Sequence, residues 1–404
     1  MSQRVVVGIC GGIAAYKVCE VVSALSQRED VAVQVVLTEH GAQFVTPLTL
    51  ATLARSPAYT DGDFWQASQG KPLHIALGEP ADLLVIAPLT AHTLAKLALG
   101  LADNLLTATV LASRCPVLVA PAANTTMWEQ PIVQHHWQTL QQDPRYWAIA
   151  PGAGRLACDA VGTGRMAEPP DILVAIEVLL HTGGRRDLQG KTVLVSAGGT
   201  QEPLDAVRFL GNPATGKQGI AIAQAALYRG AAVRLILAGD RPAPAGIPTH
   251  RVTTAAEMEN AVLAEFPGCD VFVSAAAVGD VRPPYLGDRK LPKSELPATL
   301  PLSPIPDILQ AVAAQKQPHQ HLIGLAAQTG DEAAMRTQGR DKLHRKGLDA
   351  VLVNPVGTAD SGFGSDTNRG WLLHRDGRQG AIALTSKLGI ACALWDFWRG
   401  DEPG

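Results

Sequence analysis

The sequence predicts an α/β protein built from two doubly wound, Rossmann-like domains in tandem. Two observations predict this class. In both halves of the chain, short apolar runs rich in β-branched residues alternate with segments of helical periodicity, as in parallel sheets covered by helices on both faces. The length of 404 residues also suits two domains, at roughly 100–200 residues each.

In the first half, the apolar runs are predicted as strands and the amphipathic segments as helices. The strands are Arg4–Cys10, Val31–Leu37, Asp82–Ala87 and Pro116–Ala120. The helices are Ala14–Gln27, Thr93–Leu99, Asn104–Ala112, Ile132–Gln141 and Asp171–His181. Because ligands bind outside the carboxyl ends of parallel strands, site residues are expected at Gly11–Gly12, Thr38, Pro88–Thr90 and Pro121–Asn124.

A polar, glycine-rich segment, 183–190, is predicted as the linker between a first domain, 1–182, and a second domain, 191–404. After it the alternation starts again. The predicted strands are Lys191–Ser196, Ala232–Leu237, Asp270–Val273, His321–Leu325 and Ala350–Asn354, with a terminal hairpin of Trp371–His374 and Ala381–Leu384. The predicted helices are Gly216–Arg229, Ala255–Phe266, Pro306–Gln315, Asp331–Lys346 and Ser386–Arg399.

Composition excludes several classes of partner. The net charge of −3 offers no basic surface for nucleic acid or anionic membrane. The six cysteines are scattered without a spacing that suits zinc, which fits free thiols in a reducing cytosol. The first residues lack the layout of a secretory signal, and no apolar run approaches the ~20 residues of a membrane span. We therefore expect a cytoplasmic protein.

Residues 154–169 carry a cysteine, two arginines and several glycines in one short stretch. Glycine permits backbone conformations that other residues avoid, so this stretch is expected to be an irregular loop. Cys158 is then offered on a loop, where Arg155 and Arg165 can lower the pKa of its thiol or bind a substrate anion. An unreactive thiol on a connecting loop is the simpler interpretation of these residues taken alone.

Three further features are ambiguous on their own. Gly8–Lys17 places glycines between a strand and a helix, where backbone N–H groups can hold a phosphate. It lacks the G-x-G-x-x-G pattern of dinucleotide sites, so a mononucleotide phosphate or a plain tight turn are the alternatives. His74, just before a strand, fits a structural or a catalytic role. Asn124 can cap a helix.

Taken together, these motifs resemble one known family. G-G-I-A-A-Y-K, H-I-x-L-G, A-P-x-x-A-x-x-x-A-K, G-x-A-D-N-L-L, P-x-x-N-x-x-M-W and A-C-x-x-x-G-x-G-R-M-x-E-P occur in this order. They are similar to flavin-dependent 4′-phosphopantothenoylcysteine decarboxylases. The second half, through A-G-G-T-x-E-P-L-D-x-V-R, N-x-x-x-G-K and S-A-A-A-V-x-D, resembles phosphopantothenate–cysteine ligases. The resemblance covers nearly the whole chain and implies the bacterial fusion of both enzymes of coenzyme A biosynthesis.

For the first domain, the resemblance implies a flavodoxin-like flavoprotein that decarboxylates oxidatively on FMN. The cysteine side chain of the substrate is oxidised to a thioaldehyde, CO₂ is lost, and the remaining enethiol is protonated and reduced. In this scheme His74 serves the first half, Asn124 orients the substrate carboxylate and Cys158 supplies the proton. The implied FMN contacts are Gly12, Ile13, Thr38, Thr90 and Asn104, and the implied substrate flap contains Arg165 and Met166.

For the second domain, the resemblance implies CTP-dependent amide formation through an acyl-cytidylate. Asn212 matches the asparagine that holds this intermediate, and Lys290, with Lys293 as second choice, matches the catalytic lysine. Charge stabilisation during phosphoryl transfer points to Mg²⁺, although the sequence does not identify its ligands. The implied CTP contacts are Ser274, Ala275, Ala276, Asp280, Lys290, Asp307, Ile308, Leu309, Gln310, Leu325, Lys342 and Lys346. A solvated helix face is the alternative interpretation of the last two lysines.

The chain departs from the family pattern at a few positions. Ala123 stands where the family has methionine, and Asp159–Ala160 where it has Gly-Asp. Pro292 interrupts the family's lysine cluster. Ala123 bears on the packing against the substrate, and Asp159–Ala160 bears on the movement of the flap. Pro292 bears on which lysine matches the catalytic lysine of the family.

The sequence thus predicts a bifunctional enzyme that makes 4′-phosphopantetheine from 4′-phosphopantothenate, L-cysteine and CTP. The resemblance also implies a homo-oligomer, with trimers of decarboxylase domains forming a shell and ligase domains pairing as dimers. Two alternatives stay open. One is a different flavin-dependent cysteine decarboxylase fused to an unrelated nucleotide domain. The other is a regulatory binding subunit without activity, against which the joint presence of His74, Asn124 and Cys158 argues.

Overall fold

A computed structural model describes residues 2–66, 70–157, 159–357, 361–362 and 364–400. The chain forms two compact units, Met1–Arg185 and Arg186–Gly404. The boundary between the units falls inside segment 183–190. Each unit contains one large, mainly parallel sheet flanked by helices, which confirms the predicted fold class.

The first unit is a doubly wound sheet with an added hairpin. Its strands are β1 (Gln3–Ile9), β2 (Val31–Leu37), β3 (Ala58–Tyr59), β4 (Leu83–Leu89), β5 (Val117–Pro121), β6 (Tyr146–Ala148), β7 (Gly152–Arg155) and β8 (Val161–Arg165). Its helices are α1 (Ala15–Ser26), α2 (Pro47–Ala54), α3 (Leu73–Gly78), α4 (Ala91–Leu99), α5 (Leu105–Leu111), α6 (Thr125–Trp128), α7 (Pro131–Gln142) and α8 (Pro169–Thr182). The parallel sheet has the order β3-β2-β1-β4-β5-β6. Without the two-residue edge strand β3, this is the flavodoxin-like order.

The second unit repeats the architecture with an antiparallel extension. Its strands are β9 (Thr192–Ala197), β10 (Gln201–Pro203), β11 (Phe209–Gly211), β12 (Ala232–Ala238), β13 (Thr249–Val252), β14 (Val271–Ser274), β15 (Val281–Arg282), β16 (Ser303–Pro304), β17 (His321–Gln328), β18 (Ala350–Pro355), β19 (Thr367–His374) and β20 (Gln379–Ser386). Its helices are α9 (Lys217–Leu227), α10 (Ala255–Glu265), α11 (Ile308–Ala313), α12 (Glu332–Arg345) and α13 (Lys387–Arg399). The main sheet runs β13-β12-β9-β14-β17-β18-β19-β20, and its last two strands form the expected hairpin.

Close packing of helices on the central strands positions the sites. All residues of β4 are buried, which explains its continuous apolar sequence. A Cβ at Gly8 in β1 would lie 2.4 Å from the side chain of Leu106 in α5. In the second unit, a Cβ at Gly219 in α9 would lie 2.5 Å from the Cβ of Ala197 in β9. At both positions only glycine allows the helix to approach the strand this closely.

The expectation of an irregular loop over residues 154–169 is wrong. Residues 152–155 and 161–165 form the antiparallel hairpin β7–β8, in which Gly154 pairs with Gly162. Gly154 and Gly164 have φ values of 147° and 143°, a region that favours glycine. The glycines therefore permit an unusual hairpin rather than preventing regular structure. The sequence did not indicate these two strands because their residues do not alternate between apolar and polar.

A buried ion network joins three separate parts of the second unit. Arg229, after α9, is fully buried and donates hydrogen bonds of 2.7–2.9 Å to Asp187 and 2.6 Å to Asp396 in α13. Arg399 also pairs with Asp187. Burial alone would raise the pKa of Asp187, but the hydrogen bonds and charges of Arg229 and Arg399 together hold it below its usual value.

We expect Arg229→Met to destabilise the second unit by about 3–5 kcal/mol, because two buried carboxylates lose the hydrogen bonds and the charge of Arg229. Because the pKa of Asp187 is lowered in the folded state, the ionised carboxylate adds its full contribution to the free energy of unfolding above the unfolded-state pKa of about 3.9. That contribution disappears as the pH falls through the lower folded-state pKa. The deficit of the variant should therefore shrink below pH ~4. Urea unfolding monitored by tryptophan fluorescence at neutral and acid pH measures both effects.

Arg234→Met is the matched control, because Arg234 makes a partly exposed ion pair with Glu265. Such a pair contributes about 0–1 kcal/mol. Equal unfolding midpoints for the two variants at neutral pH would contradict the assigned importance of the Arg229 network.

Candidate active sites

The first unit contains a cavity of about 1160 Å³ at the carboxyl ends of its parallel strands. The segments that follow β1, β2, β4 and β5 all line it. It brings together eight residues singled out from the sequence, namely Gly12, Ile13, Thr38, Thr90, Asn104, Asn124, Arg165 and Met166. These residues, up to 154 positions apart in the chain, line this one cavity. The segments after β1, β2, β4 and β5 meet there because parallel strands end at the same edge of the sheet.

Hydrogen bonds to the backbone fix three of these side chains. The Thr38 hydroxyl accepts from the backbone N–H of Gly41 at 3.1 Å. Thr90 caps the N-terminus of α4, and the Asn104 side chain caps α5 by accepting from the backbone N–H of Thr107 at 2.9 Å. Capping residues have defined rotamers, so these groups present fixed polar atoms to the cavity.

The start of α1 suits an anionic phosphate. Its N-cap position is Ala14, which has no side-chain acceptor for the first backbone N–H groups of the helix. Gly12 and Ile13 immediately before it line the cavity. The helix dipole favours a negative charge at this end. The cavity therefore fits a ligand with a terminal phosphate.

The hairpin β7–β8 lies against the segment that carries Asn124. Ala123 N–H donates to the carbonyl of Gly164 at 3.0 Å, and a Cβ at Gly164 would lie 2.2 Å from the Ala123 carbonyl oxygen. Asn124 itself caps α6 by accepting from the backbone N–H of Thr126 at 2.9 Å. Asn124 thus has the capping role that its sequence context allowed, at the edge of the cavity.

An ion-pair cluster joins the end of the hairpin to α1. Glu168 accepts hydrogen bonds from Lys17 at 2.7 and 2.9 Å and from Arg165 at 2.9 Å. The hydrogen bond from Lys17 is the main reason that the pKa of Glu168 lies below its usual value. Both cations line the cavity. Lys17 and Arg165 therefore give this side of the cavity a positive character.

Of the predicted catalytic residues of the first unit, Cys158 lies outside the described residues. His74 belongs to the short helix α3 and is not among the residues that line the cavity. Its ring packs edge-on against Phe64 at 5.4 Å. Its Nδ1 atom is buried without a hydrogen-bond partner in the described part of the chain.

The backbone conformation at residue 159 explains how aspartate can stand where the family has glycine. Asp159 has a φ of 65°, in the left-handed region where the family's glycine is favoured and where aspartate is tolerated. Its carboxylate accepts a hydrogen bond of 2.6 Å from Arg155. Asp159 therefore keeps the backbone conformation of the turn while adding an exposed ion pair.

Asp61 is a site residue that the sequence did not single out. One carboxylate oxygen accepts from the backbone N–H of Glu39 at 3.1 Å, and the other accepts from that of Leu105 at 3.0 Å. Asp61 thereby joins the segment after Thr38 to the start of α5, where Asn104 lies. It also lines the cavity itself. The only signal in the sequence was a turn-like D-G-D between two apolar segments.

In the second unit, two predicted nucleotide-binding lysines lie beside other predicted residues. Lys342 in α12 donates to the carbonyl of Leu325 at 2.6 Å. Burial and the charge of Arg345 lower the pKa of Lys342, while Asp280 acts in the opposite direction. Because Lys342 is half-buried and its ammonium group is hydrogen-bonded to the Leu325 carbonyl, a fully solvated helix face does not describe its environment.

The other lysine, Lys346, follows α12 and forms an ion pair with Asp307. Asp307 caps the N-terminus of α11 by accepting from the backbone N–H of Gln310 at 3.2 Å. Two residues from different segments that were predicted to contact CTP therefore meet at the start of α11.

Asn212 lies beside the loop that follows β14. Its amide donates to the carbonyls of Ala277 and Val278, each at 3.4 Å. Asp280 belongs to the same loop. Lys290 and Lys293 lie on an exposed segment between β15 and β16. The structure thus places Asn212 near the segment 274–280 and leaves Lys290 and Lys293, the candidates for the catalytic lysine, facing solvent.

Comparison with known proteins identifies the family. The family model described as Flavoprotein matches residues 1–181, and the model described as DNA/pantothenate metabolism flavoprotein C-terminal domain matches residues 188–399. The coenzyme A biosynthesis bifunctional protein CoaBC of Mycobacterium tuberculosis is 41% identical over 98% of this chain and 96% of its own length. The chain belongs to the CoaBC family.

A second relative and a solved structure are also similar to this chain. CoaBC of Bacillus subtilis is 38% identical over 96% of this chain and 95% of its own length. A solved C-terminal domain of a CoaBC protein is 32% identical, covers 53% of this chain and 98% of that chain, and has a TM-score of 0.44. This member of the CoaBC family is therefore a bifunctional flavoprotein enzyme of coenzyme A biosynthesis, with phosphopantothenoylcysteine decarboxylase and phosphopantothenate–cysteine ligase activities.

No helix in the described residues is long and apolar enough to cross a membrane. Within the same residues, no group of three His, Cys, Asp or Glu side chains is arranged to hold a metal ion.

We expect Asp61→Asn to weaken flavin binding by roughly tenfold, because the amide can accept from only one of the two N–H groups that the carboxylate joins. Fluorescence titration of the flavin-free protein with flavin mononucleotide measures this change. Asp30→Asn is the control, since Asp30 pairs with Arg28 on the surface. An unchanged dissociation constant in Asp61→Asn would show that Asp61 does not organise the cavity.

Proposed function

We propose that the second unit joins 4′-phosphopantothenate to L-cysteine through an acyl-cytidylate formed from CTP. The first unit then decarboxylates 4′-phosphopantothenoylcysteine with FMN and releases 4′-phosphopantetheine and CO₂. The observation that carries this proposal is the cavity of the first unit, which gathers eight residues predicted to bind the flavin and substrate. Membership of the CoaBC family supports the pairing of the two reactions in one chain.

In the decarboxylase unit, the uncapped start of α1 is proposed to hold the phosphate of FMN. The flavin supplies reversible two-electron chemistry to the substrate. Asn124 orients the substrate carboxylate, and Arg165 holds an anionic group of the substrate while paired with Glu168. Cys158 supplies the proton that completes the second half of the reaction, and His74 acts in the first half.

In the ligase unit, Lys342 and Lys346 are proposed to offset the charge of the CTP phosphates together with Mg²⁺. Leu325 and the start of α11 complete the nucleotide site. Asn212 holds the acyl-cytidylate, since its amide already lies against the loop that leads to Asp280. Lys290 reaches the reacting phosphate from its exposed segment when substrate is bound.

We further propose that the protein is a cytoplasmic homo-oligomer, with decarboxylase units in trimers and ligase units in dimers. Several large apolar side chains of the first unit are exposed, among them Leu48 at 77% and Trp65 at 86%. An interface between subunits would cover such side chains, which otherwise contact water. In the second unit, Phe209 on β11 is also exposed.

Mass spectrometry of a single reaction tests the proposed function. The purified protein is incubated with 4′-phosphopantothenate, L-cysteine, CTP and Mg²⁺. We expect 4′-phosphopantetheine, CMP and pyrophosphate as products. Replacing CTP by ATP should lower the yield of product. Absence of both 4′-phosphopantetheine and 4′-phosphopantothenoylcysteine would contradict the proposal for the two units together.

Asn212→Asp tests the ligase site separately. Aspartate has no amide donor for the carbonyls of Ala277 and Val278, so we expect the ligase rate to fall by roughly tenfold or more. Decarboxylation of supplied 4′-phosphopantothenoylcysteine should stay unchanged and serves as the internal control. A normal yield of phosphopantothenoylcysteine from the variant would refute the placement of Asn212 in the ligase site.

A further inference from the structure

Lys290 lies on a surface segment, residues 285–302, that we call the lysine segment. Leu291, the next residue in the chain, is 8% exposed, whereas residues 288–290 and 292–295 face solvent. Burial of one leucine in an otherwise exposed stretch ties that stretch to the body of the unit. The position of Leu291 therefore sets the place from which the Lys290 side chain extends.

Two side chains of one turn hold the backbone of Leu291. This turn, residues 204–208, joins strands β10 and β11. The N–H of Leu291 donates to a carboxylate oxygen of Asp205 at 3.3 Å, and its carbonyl accepts from the guanidinium of Arg208 at 3.2 Å. Both backbone polar groups of the buried leucine are therefore satisfied by the turn.

The turn 204–208 is also the part of the described chain to which the lysine segment is hydrogen-bonded elsewhere. The N–H of Leu286 donates to the carbonyl of Leu204 at 2.8 Å. The other hydrogen bonds of the lysine segment in the described residues are internal, such as that from Arg289 to Glu295. Whatever loosens the turn should therefore loosen the lysine segment.

The charge of Asp205 has a purpose beyond closing the turn. Its side chain is fully buried, and its Oδ1 atom accepts from the N–H groups of Val207 and Arg208 at 2.8 and 2.7 Å. The amide oxygen of an asparagine would serve these two donors equally well. The Oδ2 atom instead accepts from the Arg208 guanidinium at 2.9 Å and from Leu291. Because burial of a charge is costly, we attribute the carboxylate to these last two contacts.

The hairpin β10–β11 also leads to the second predicted catalytic residue of this unit. Gly211 is the last residue of β11, and Asn212 follows it directly. The Asn212 amide lies against the carbonyls of Ala277 and Val278. One hairpin therefore joins the contact that holds the lysine segment to the residue predicted to hold the acyl-cytidylate.

We propose that Asp205, acting with Arg208 through the backbone of Leu291, is a positioning residue for Lys290 in the ligase reaction. This inference rests on the proposed function, in which Lys290 reaches the reacting phosphate. Asp205 is buried and acts by fixing the base of the segment from which Lys290 extends. A reacting group must be held in the productive geometry for a high rate, so release of Leu291 lowers the ligase rate although Lys290 is still present.

Asp205→Asn in the full chain tests whether the turn holds the lysine segment. Asparagine keeps one oxygen for the turn but presents an amide donor to the Leu291 N–H and to Arg208, so both contacts are lost. Residues 289–293 contain three exposed trypsin sites. We expect cleavage there, located by mass spectrometry, to become about tenfold faster, while cleavage at other sites keeps the wild-type rate.

Ligase kinetics of the same variant test the link to Lys290. We expect kcat for phosphopantothenoylcysteine formation to fall about tenfold. In the Lys290→Arg background, Asp205→Asn should cost clearly less than tenfold, because residues that act through one another are not additive. A merely structural loss would multiply with the loss from Lys290→Arg.

Arg208→Lys is the second variant, and the Arg208 side chain is 32% exposed, so the substitution is compatible with folding. Lysine keeps the charge beside Asp205 but lacks the planar set of donors that also reaches the Leu291 carbonyl. We expect faster cleavage at residues 289–293 and a lower kcat, both by a smaller factor than in Asp205→Asn.

Asp349→Asn is the matched control. This buried carboxylate also accepts from a backbone N–H, that of Leu322 at 2.7 Å, and from an arginine, Arg375 at 2.8 Å. It does not contact the turn 204–208 through any hydrogen bond of the described residues. We expect wild-type cleavage at residues 289–293 and a wild-type kcat in this variant.

The proposal is overturned if trypsin cleaves Asp205→Asn at residues 289–293 at the wild-type rate. It is also overturned if Asp205→Asn lowers kcat by the same factor with Lys290 and with Lys290→Arg. Trypsin cleavage does not depend on product formation, so failure of this proposal is distinguishable from failure of the proposed function.

Discussion

Parallel strand pairing brings segments that are distant in the chain to the same edge of each main sheet. In the first unit, β1 pairs with β2 on one side and β4 on the other in continuous register, so Val5 lies opposite both Val33 and Leu83. The strands consequently end together, and the residues that follow them converge on one cavity. In the second unit, β9 lies in the same way between β12 and β14. The segment that leads to Asp280 follows β14, and α12, which carries Lys342, follows β17.

Close approach of backbone segments is the second constraint, and glycine makes it possible. Gly164 on the hairpin allows β8 to lie against the Ala123 carbonyl, beside Asn124. Gly162 likewise allows β8 to lie close to Thr125, because the Thr125 Oγ1 atom would lie 2.6 Å from a Cβ added at this glycine. The hairpin β7–β8 is therefore fixed to the segment after β5 through positions where a side chain does not fit. The same requirement explains the glycine content of this stretch without assuming that it is irregular.

The sequence predicted the sheets well because buried parallel strands are uninterrupted apolar runs, and β2 was predicted with its observed bounds. It predicted the cavity residues through strand ends and family motifs. It did not reveal Asp61, whose role is a carboxylate bridge between backbone groups at Glu39 and Leu105, far apart in the chain. The hairpin escaped prediction because its glycines give no alternation of apolar and polar residues. The Arg229 network also depends on contacts over more than 160 residues, which local pattern does not encode.

The most direct test of this account is a crystal structure of the full chain grown with FMN and CTP. The account predicts the flavin phosphate within hydrogen-bond distance, about 3 Å, of the backbone at Gly12 and Ile13, with Thr90 and Asn104 at the same ligand. It predicts the CTP phosphates beside Lys342 and Lys346. Flavin bound away from the carboxyl ends of β1 and β4, or CTP bound away from the start of α11, would contradict the claim that the two sheet edges build the two sites.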